Sequence, residues 1–417
     1  MSRSVDVLVV GAGPSGLAAA IELRRGGAGR VTVVDREPQS GGTPRTLDHS
    51  GFGMRDLRTL LSGPAYARRY GHLAAEADVE VLLETAAVGW TGPLSLTTTS
   101  PRGIEEIEAR AIVLATGCRE RPRAARLVPG SRPQGVLTSG ALQRFAAGRL
   151  PVGRRAVVVG AENVSFADVM TLADAGVTTL ALVTEHSVDQ AYGWLRLYIA
   201  ARYRPPVLTG SRVTEVLGRR RVEAIEVADL ATGRRRRIAC DTVVFSGDWI
   251  PDHELARLGG IAIDPGTRGP RVDAAQRTSA PGVFAAGNLL HGAELADVAA
   301  LCGRFTAQSV LRFLADGAWS PRGLIEVKAE PPVSWVSPNL VQPGDREWLA
   351  HGHFMLRVDE VLRRPRLEVV QADRVLGSRD FRLLRPTLPV HMPGGWLRDV
   401  LPDGGPLTVR VGHLAAS

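Results

Sequence analysis

The sequence has little cysteine, almost no lysine and no long apolar run. Its three cysteines, Cys118, Cys240 and Cys302, lie far apart and show no C-x-x-C spacing. That spacing excludes a structural zinc site or an iron–sulfur cluster of the usual motif, and no metal is expected. No stretch of about 18 uncharged apolar residues occurs, so no membrane-spanning helix is expected. Lys328 is the only lysine, so the net charge of +8 comes from arginine. These arginines are spread along a chain also rich in Ala and Gly, which reads as compositional bias; no nucleic-acid-binding module accompanies them. The one tight basic run, Arg234 to Arg237, follows Thr232-Gly233 and is expected at a solvated hairpin turn. Hydrophobic residues make up 44% of the 417 positions, as in an ordinary soluble chain of two or three domains. The first ten residues read as a strand, not as a signal peptide, and the cytoplasm is the expected compartment.

What is present begins with that strand. Asp6 to Val10 runs into Gly11-Ala12-Gly13-Pro14-Ser15-Gly16, and Leu17 to Arg25 follows as a helix. In this strand–turn–helix setting, G-x-G-x-x-G marks a dinucleotide site. Gly11 permits the tight turn, Gly13 lets the backbone approach a pyrophosphate, and Gly16 lets helix and strand pack. The helix N-terminus offers N–H groups and partial positive charge to phosphate. Val31 to Val34 reads as the next strand, with Asp35 at its end where a ribose-binding acid belongs.

The pattern recurs once, in eroded form. Arg155 to Val159 leads into Gly160-Ala161-Glu162-Asn163-Val164-Ser165, then a helix over Phe166–Ala175, a strand over Thr179–Thr184 and the acid Glu185. Only the first glycine survives, and Glu162 sets a carboxyl group where a pyrophosphate would lie. This unit is either a scaffold or a working NAD(P) site. Further landmarks are the strand-like Ala111 to Leu114 with the turn Ala115-Thr116-Gly117, the strand Asp241 to Phe245, and Gly282 to Asn288 followed by a helix over Ala293–Leu314.

In this order the motifs resemble the two-dinucleotide-binding flavoproteins of the glutathione-reductase type. The resemblance implies an α/β fold, an FAD-binding Rossmann-like domain (1–150 and 271–325) with an inserted NAD(P)-type domain (151–270). Residues 326–417, with short alternating strands and scattered prolines, are expected to form a small C-terminal β domain with Trp335, Trp348 and Trp396 in its core. By the resemblance, Gly11, Gly13, Pro14, Ser15 and Gly16 would line the FAD pyrophosphate, Asp35 the ribose and Arg36 the adenine. Gly41, Gly42 and Thr43 would pass the ribityl chain, the Val88 backbone would meet adenine, and Ala115, Thr116 and Gly117 would form a second close approach. Gly287 and Asn288 stand where relatives have Gly-Asp for the ribityl hydroxyls; the helix after them, with His291 and Glu294 at its start, would face the flavin's pyrimidine edge.

Pro44 and His49 stand where disulfide reductases of this type carry their cysteine pair, so thiol–disulfide chemistry is excluded there. His49 is instead the candidate base for a proton leaving an amine or hydroxyl, and Arg45 the candidate anchor for a substrate carboxylate or phosphate. Arg119 to Pro122 is expected at a charged crossing between domains. The segments Ala115 to Arg121, Gly130 to Val136, Gly51 to Gly53 and Ser62 to Ala67 resemble more closely the flavoproteins associated with anaerobic glycerol-3-phosphate dehydrogenase. That group includes FAD subunits of opine oxidase, hydrogen cyanide synthase and dye-linked proline dehydrogenase. The sequence departs from it around His49, where relatives often have a Cys, and in a C-terminus free of cysteine. The resemblance implies an FAD-dependent oxidoreductase that transfers hydride between flavin and a small amine, amino acid or hydroxy compound. Alternatives are an NAD(P)H-fed reductase and an electron-relay subunit. A second flavoprotein subunit or a second copy of the chain is the implied partner.

Overall fold

The computed structural model describes residues 2–292, 294–317, 319, 323–343 and 353–412. Strand β1 (Ser2–Val10) leads through the glycine loop to α1 (Pro14–Arg25) and back to β2 (Val31–Val34). Next come α2 (Gly63–Glu76), β3 (Glu80–Leu82), β4 (Ala86–Gly92), β5 (Ser95–Ser100) and β6 (Gly103–Leu114). The sheet order is β3-β2-β1-β6-β5-β4. Strands β3, β2, β1 and the C-terminal half of β6 run parallel, and β4–β5–β6 form an antiparallel meander. In β1, Val7 and Val9 face the core shared with α1 and α2, while Leu8 and Val10 face the opposite core with Leu96, Ile107 and Ile112. Burial on both faces is why the Val7–Val10 end of β1 is apolar throughout and does not alternate.

The second parallel sheet is built from β7 (Val136–Thr138), β8 (Arg155–Val159), β9 (Thr178–Val183), β10 (Val207–Leu208) and β14 (Thr242–Phe245), in the order β7-β14-β8-β9-β10. Helices α3 (Ser139–Ala147), α4 (Asn163–Asp174) and α5 (Gly193–Arg202) accompany it. An antiparallel sheet of β11 (Ser211–Leu217), β12 (Ala224–Asp229) and β13 (Arg235–Ala239) is inserted before β14. Arg235 to Arg237 thus lie on strand β13, whose side chains there are exposed, and the turn lies just before them. Because β7 hydrogen-bonds to β14, a boundary after residue 150 would cut β7 and α3 from their own sheet. The chain crosses between units at paired strands Cys118–Glu120 and Trp249–Pro251, and Leu255, Ala256 and Ile261 then pack into the first unit's core. The insertion therefore runs from about residue 121 to 248, shifted toward the N-terminus from the expected 151–270.

Strand β15 (Val283–Ala285) returns to pair with β6, and α6 (Ala296–Asp316) packs on α1. That approach is close: a Cβ at Gly303 would stand 2.0 Å from the Ser15 carbonyl oxygen. Among its described residues the tail forms two larger sheets and a two-stranded one, Leu362–Arg363 with Leu383–Leu384. One larger sheet contains β16 (Ile325–Ala329), β19 (Arg366–Gln371), β20 (Arg374–Asp380) and β22 (Leu407–Gly412); the other contains β17 (Val333–Ser337), β18 (His353–Val358) and β21 (Val390–Pro393). Their shared core holds Phe354, Leu367, Leu397 and Trp396. Trp335, expected in that core, stacks instead on His291 with ring centroids 4.9 Å apart. Trp348 lies outside the described residues.

Candidate functional site

The first glycine loop sits at the C-terminal ends of β1, β2 and β6. Gly11 has φ of 110°, and a Cβ there would meet the Ala115 carbonyl oxygen at 2.4 Å. One at Gly16 would stand 1.9 Å from the Gly11 carbonyl oxygen. Gly13 ends the turn as the residue before α1, with no side chain capping that helix and Pro14 in its first turn. A Cβ at Gly13 would find nothing nearer than Gly42 Cα at 4.0 Å, so the backbone there is open to a close-approaching ligand. Ser15 is buried, and its Oγ has no hydrogen-bond partner. Uncapped helix N–H groups beside an unsatisfied buried hydroxyl are what an anion-bearing ligand requires. Gly287 closes the far side, where its φ is 71° and a Cβ would meet Ser15 Cβ at 2.6 Å.

The remaining expected cofactor residues surround this loop. Asp35 accepts hydrogen bonds from the Ala12 N–H at 2.6 Å and the Glu37 N–H at 2.9 Å, tying the end of β2 to the loop. Arg36 is exposed and pairs with Asp252 at 3.7 Å. The Gly41 N–H donates to the Ala12 carbonyl at 2.7 Å, and Gly42 packs on Gly13; Thr43 opens a short 3-10 turn. Ala115 N–H bonds to the Val10 carbonyl, Thr116 Oγ1 donates to the Asp252 carbonyl, and the Gly117 carbonyl accepts from the Asp252 N–H.

Three of the expected residues have the following surroundings within the protein. Arg45 donates from one arm to the Gln39 carbonyl at 2.6 Å and from the other to Glu37 at 2.9 Å, so both arms of its fork are engaged by the protein. Val88 is exposed on the edge strand β4, whereas Thr85 is buried with its N–H on the Asp35 carbonyl at 2.8 Å. Thr85, not Val88, is thus the residue of this stretch beside the acid; no motif in the sequence singled it out. Asn288 accepts from the Glu294 N–H at 3.0 Å and donates to the Glu294 carbonyl at 3.3 Å, which closes the turn before α6.

His49 lies against Phe52, ring centroids 5.2 Å apart, and its Nδ1 is 3.0 Å from the Ser50 carbonyl. A carbonyl oxygen only accepts, so Nδ1 carries the proton in the neutral ring and Nε2 is left to take one.

Around the start of α6 the structure gathers a buried polar cluster that links the first unit to the tail. Glu294 and Arg357 form an ion pair at 2.6 Å with side chains 4% and 8% exposed. Arg357 also donates to the Thr387 carbonyl and lies over the Trp335 ring. Burial raises the Glu294 carboxyl above its ordinary range, opposed by Arg357. Burial, reinforced by the Arg357 charge, lowers His291 to about 3, so it is neutral at physiological pH. Sequence pointed to His291 and Glu294; their partners Arg357 and Trp335 come from the tail and were not legible.

The second glycine loop has the same frame and a different filling. Gly160 has φ of 141°, and its N–H bonds to the Val183 carbonyl at 2.8 Å. Glu162 caps α4: Oε1 accepts from the Ser165 N–H at 3.0 Å and from Ser246 Oγ, and Oε2 from Ser165 Oγ. Glu185, at the end of β9, pairs with Arg212 at 2.7 Å.

No group of His, Cys, Asp and Glu among the described residues could hold a metal ion, and no helix among them is long and apolar enough to cross a membrane. Known proteins share this architecture. Residues 5–303 match the profile of the pyridine nucleotide-disulphide oxidoreductases. The chain is 30% identical over 347 residues to an opine oxidase subunit of Agrobacterium tumefaciens, a match covering 75% of this chain and 66% of the relative. It thus spans just under two thirds of that relative's length. It is 27% identical to hydrogen cyanide synthase subunit HcnB of Pseudomonas protegens, over 74% of this chain and 70% of the relative. The solved thioredoxin reductase of T. acidophilum shares the fold with a TM-score of 0.63 at 21% identity, over 74% of this chain and 98% of that one. The open, uncapped first loop with its unsatisfied Ser15 hydroxyl fits the diphosphate of FAD, and the chain belongs to the pyridine nucleotide-disulphide oxidoreductase family as an FAD-dependent oxidoreductase.

Proposed function

We propose that the protein oxidises a small amine, amino acid or hydroxy compound by hydride transfer, without a redox disulfide, and passes the electrons to a second flavoprotein subunit. The observation that carries this reading is the placement of the thiols. Cys240 is buried in the core of the second unit. Cys302 lies on α6, with its Sγ accepting from the Gly287 N–H, and Cys118 sits on a crossing strand. No disulfide joins these three cysteines, and the segment after Gly41-Gly42 offers Pro44 and His49 in place of a dithiol. FAD, when bound, supplies the two-electron acceptor. His49 takes the N–H or O–H proton at Nε2 as the substrate's C–H hydride departs, which leaves an imine or carbonyl product. The relatives named above are subunits of larger enzymes, which supports an onward electron acceptor on another chain.

The test is anaerobic titration of the FAD-loaded protein with amines, amino acids and hydroxy acids, followed by flavin absorbance. At least one class is expected to bleach the flavin, and His49→Ala to slow that bleaching by about 10²–10⁴-fold while the FAD content stays unchanged. An unchanged rate in His49→Ala removes His49 from the mechanism. Inertness toward every substrate, together with co-purification with a dehydrogenase subunit, would favour a relay role.

A further inference from the structure

The second glycine loop supplies its own anion. Gly160 and Gly247 flank the Glu162 carboxyl so closely that a Cβ on either would stand 2.8 and 2.9 Å from Oε2. Glu162 is 3% exposed, and its two oxygens accept all three of the bonds described above, from the Ser165 N–H, Ser165 Oγ and Ser246 Oγ. One backbone donor at the start of α4, the Ser165 N–H, and two neighbouring hydroxyls are therefore already engaged, and a dinucleotide would also meet a buried acidic side chain.

A second layer covers the same place. The segment 187–192 folds over the start of α4: the Gln190 N–H donates to the Ala161 carbonyl at 2.8 Å, and the Tyr192 N–H to Asn163 Oδ1 at 2.9 Å. The tail fastens this strap, because Arg385 donates to the Ala191 carbonyl at 3.2 Å and pairs with Asp189 at 3.7 Å. Beside Glu162, Arg126 lies over the Phe245 ring with its Nη2 buried and without a partner.

We propose that Glu162 is a resident occupant of the second nucleotide loop and excludes NAD(P) from it. The unit is then a closed relic, and electrons enter the flavin by another route than NAD(P)H. The exclusion is reversible in sequence: Glu162→Gly turns Gly160-Ala161-Glu162 into the Gly-Ala-Gly of Gly11-Ala12-Gly13. It frees the Ser165 N–H and the Ser165 and Ser246 hydroxyls, and leaves Arg126 to meet the phosphates.

Equilibrium dialysis of the FAD-loaded protein against NAD⁺ and, separately, NADP⁺ tests this. FAD occupies the first loop, and no turnover is involved, so the result is independent of whether the proposed substrate oxidation is right. Wild-type protein is expected to show no binding at about 1 mM nucleotide, and Glu162→Gly to bind at least one of the two about tenfold tighter or better. Glu162→Gln fills the same space, keeps one acceptor oxygen for the Ser165 N–H and Ser246 Oγ and can donate to Ser165 Oγ, and is expected to bind no better than wild type. Flavin absorbance and circular dichroism report whether each variant is folded, and Glu162→Ala replaces Glu162→Gly if the latter is not. Three results would overturn the proposal: micromolar binding by the wild type, no gain in folded Glu162→Gly or Glu162→Ala, or equal gain in Glu162→Gln. The last would mean that charge alone, not occupancy, keeps the nucleotide out.

Discussion

Two glycine loops lie between parallel strand ends and the start of a helix, and they differ in who supplies the cap. At α1 no side chain caps the helix, the position after Ala12 is Gly13, and Ser15 Oγ is left without a partner. At α4 the equivalent position is Glu162, whose carboxyl folds back on Ser165 and is joined by Ser246. The two helices have the same length and the same setting. The first loop thus leaves its helix donors without a side-chain cap, and one side chain at the second glycine position of the other loop takes up the Ser165 N–H and two hydroxyls. The surroundings differ as well: the first loop meets Gly287, whose neighbour Asn288 bonds to Glu294 of the buried Glu294–Arg357 pair, and the second is covered by the strap that Arg385 holds.

Transplanting the plug gives the largest expected effect. Gly13 has φ of −79° and open space where a Cβ would stand, so Gly13→Glu is compatible with the backbone. The variant is expected to fold and to weaken FAD binding more than 100-fold, or about 3 kcal/mol, read as the loss of flavin absorbance after purification. Full flavin content in Gly13→Glu would break the contrast between the loops.

The supports of the two loops can be probed next. Arg357→Ala strands the buried Glu294 carboxyl, and chemical denaturation is expected to show a loss of about 3–5 kcal/mol. His291 gives a pH signature. Its folded value of about 3 lies below the ordinary 6.5, so below pH 6.5 the unfolded chain binds a proton that the folded chain refuses. Stability contributed by the neutral ring is thus present above pH 6.5 and lost as pH falls toward 3. His291→Phe keeps a ring against Trp335, and its melting temperature is expected to fall less between pH 7 and pH 5 than that of wild type.

Smaller effects are expected from single contacts. Arg385→Ala should accelerate amide exchange at Gln190 and Tyr192 while costing about 1 kcal/mol or less of global stability. Ser15→Ala removes a hydroxyl with no protein partner, so apo stability should be unchanged while FAD affinity falls about three- to tenfold, the worth of one hydrogen bond. A drop in apo stability would show that the hydroxyl is spent on the protein and is not reserved for the cofactor.

Local signals carried much of the fold. The strands around Val9 and Val158, the helices after each loop and the strand before Gly287 are contiguous apolar patterns between glycine turns, and the structure has them within a few residues. Unit boundaries were less legible, because β7 reaches its partner β14 across more than a hundred residues and residues 252–261 rejoin the first core after the crossing. Arg45 is a related case. Its residue type fits a carboxylate, and only folding shows that Glu37 is that carboxylate. Trp335 misled in the same way, since its apolar ring fits a tail core as well as it fits the face of His291.

The sequence by itself determined that two dinucleotide-type units occur, that the first keeps its glycines and the second does not, and that no dithiol follows Gly41-Gly42. These are properties of neighbouring residues, where backbone freedom and side-chain size act locally. Only the tertiary structure decided what the eroded position does. An acidic residue after Gly160-Ala161 could have pointed to solvent. Ser246, on a strand end 84 positions away in sequence, draws its carboxyl inward, and the tail's Arg385 holds the strap above it. Burial and hydrogen-bond partners are set by which distant segments meet, and that is settled only when the sheets assemble.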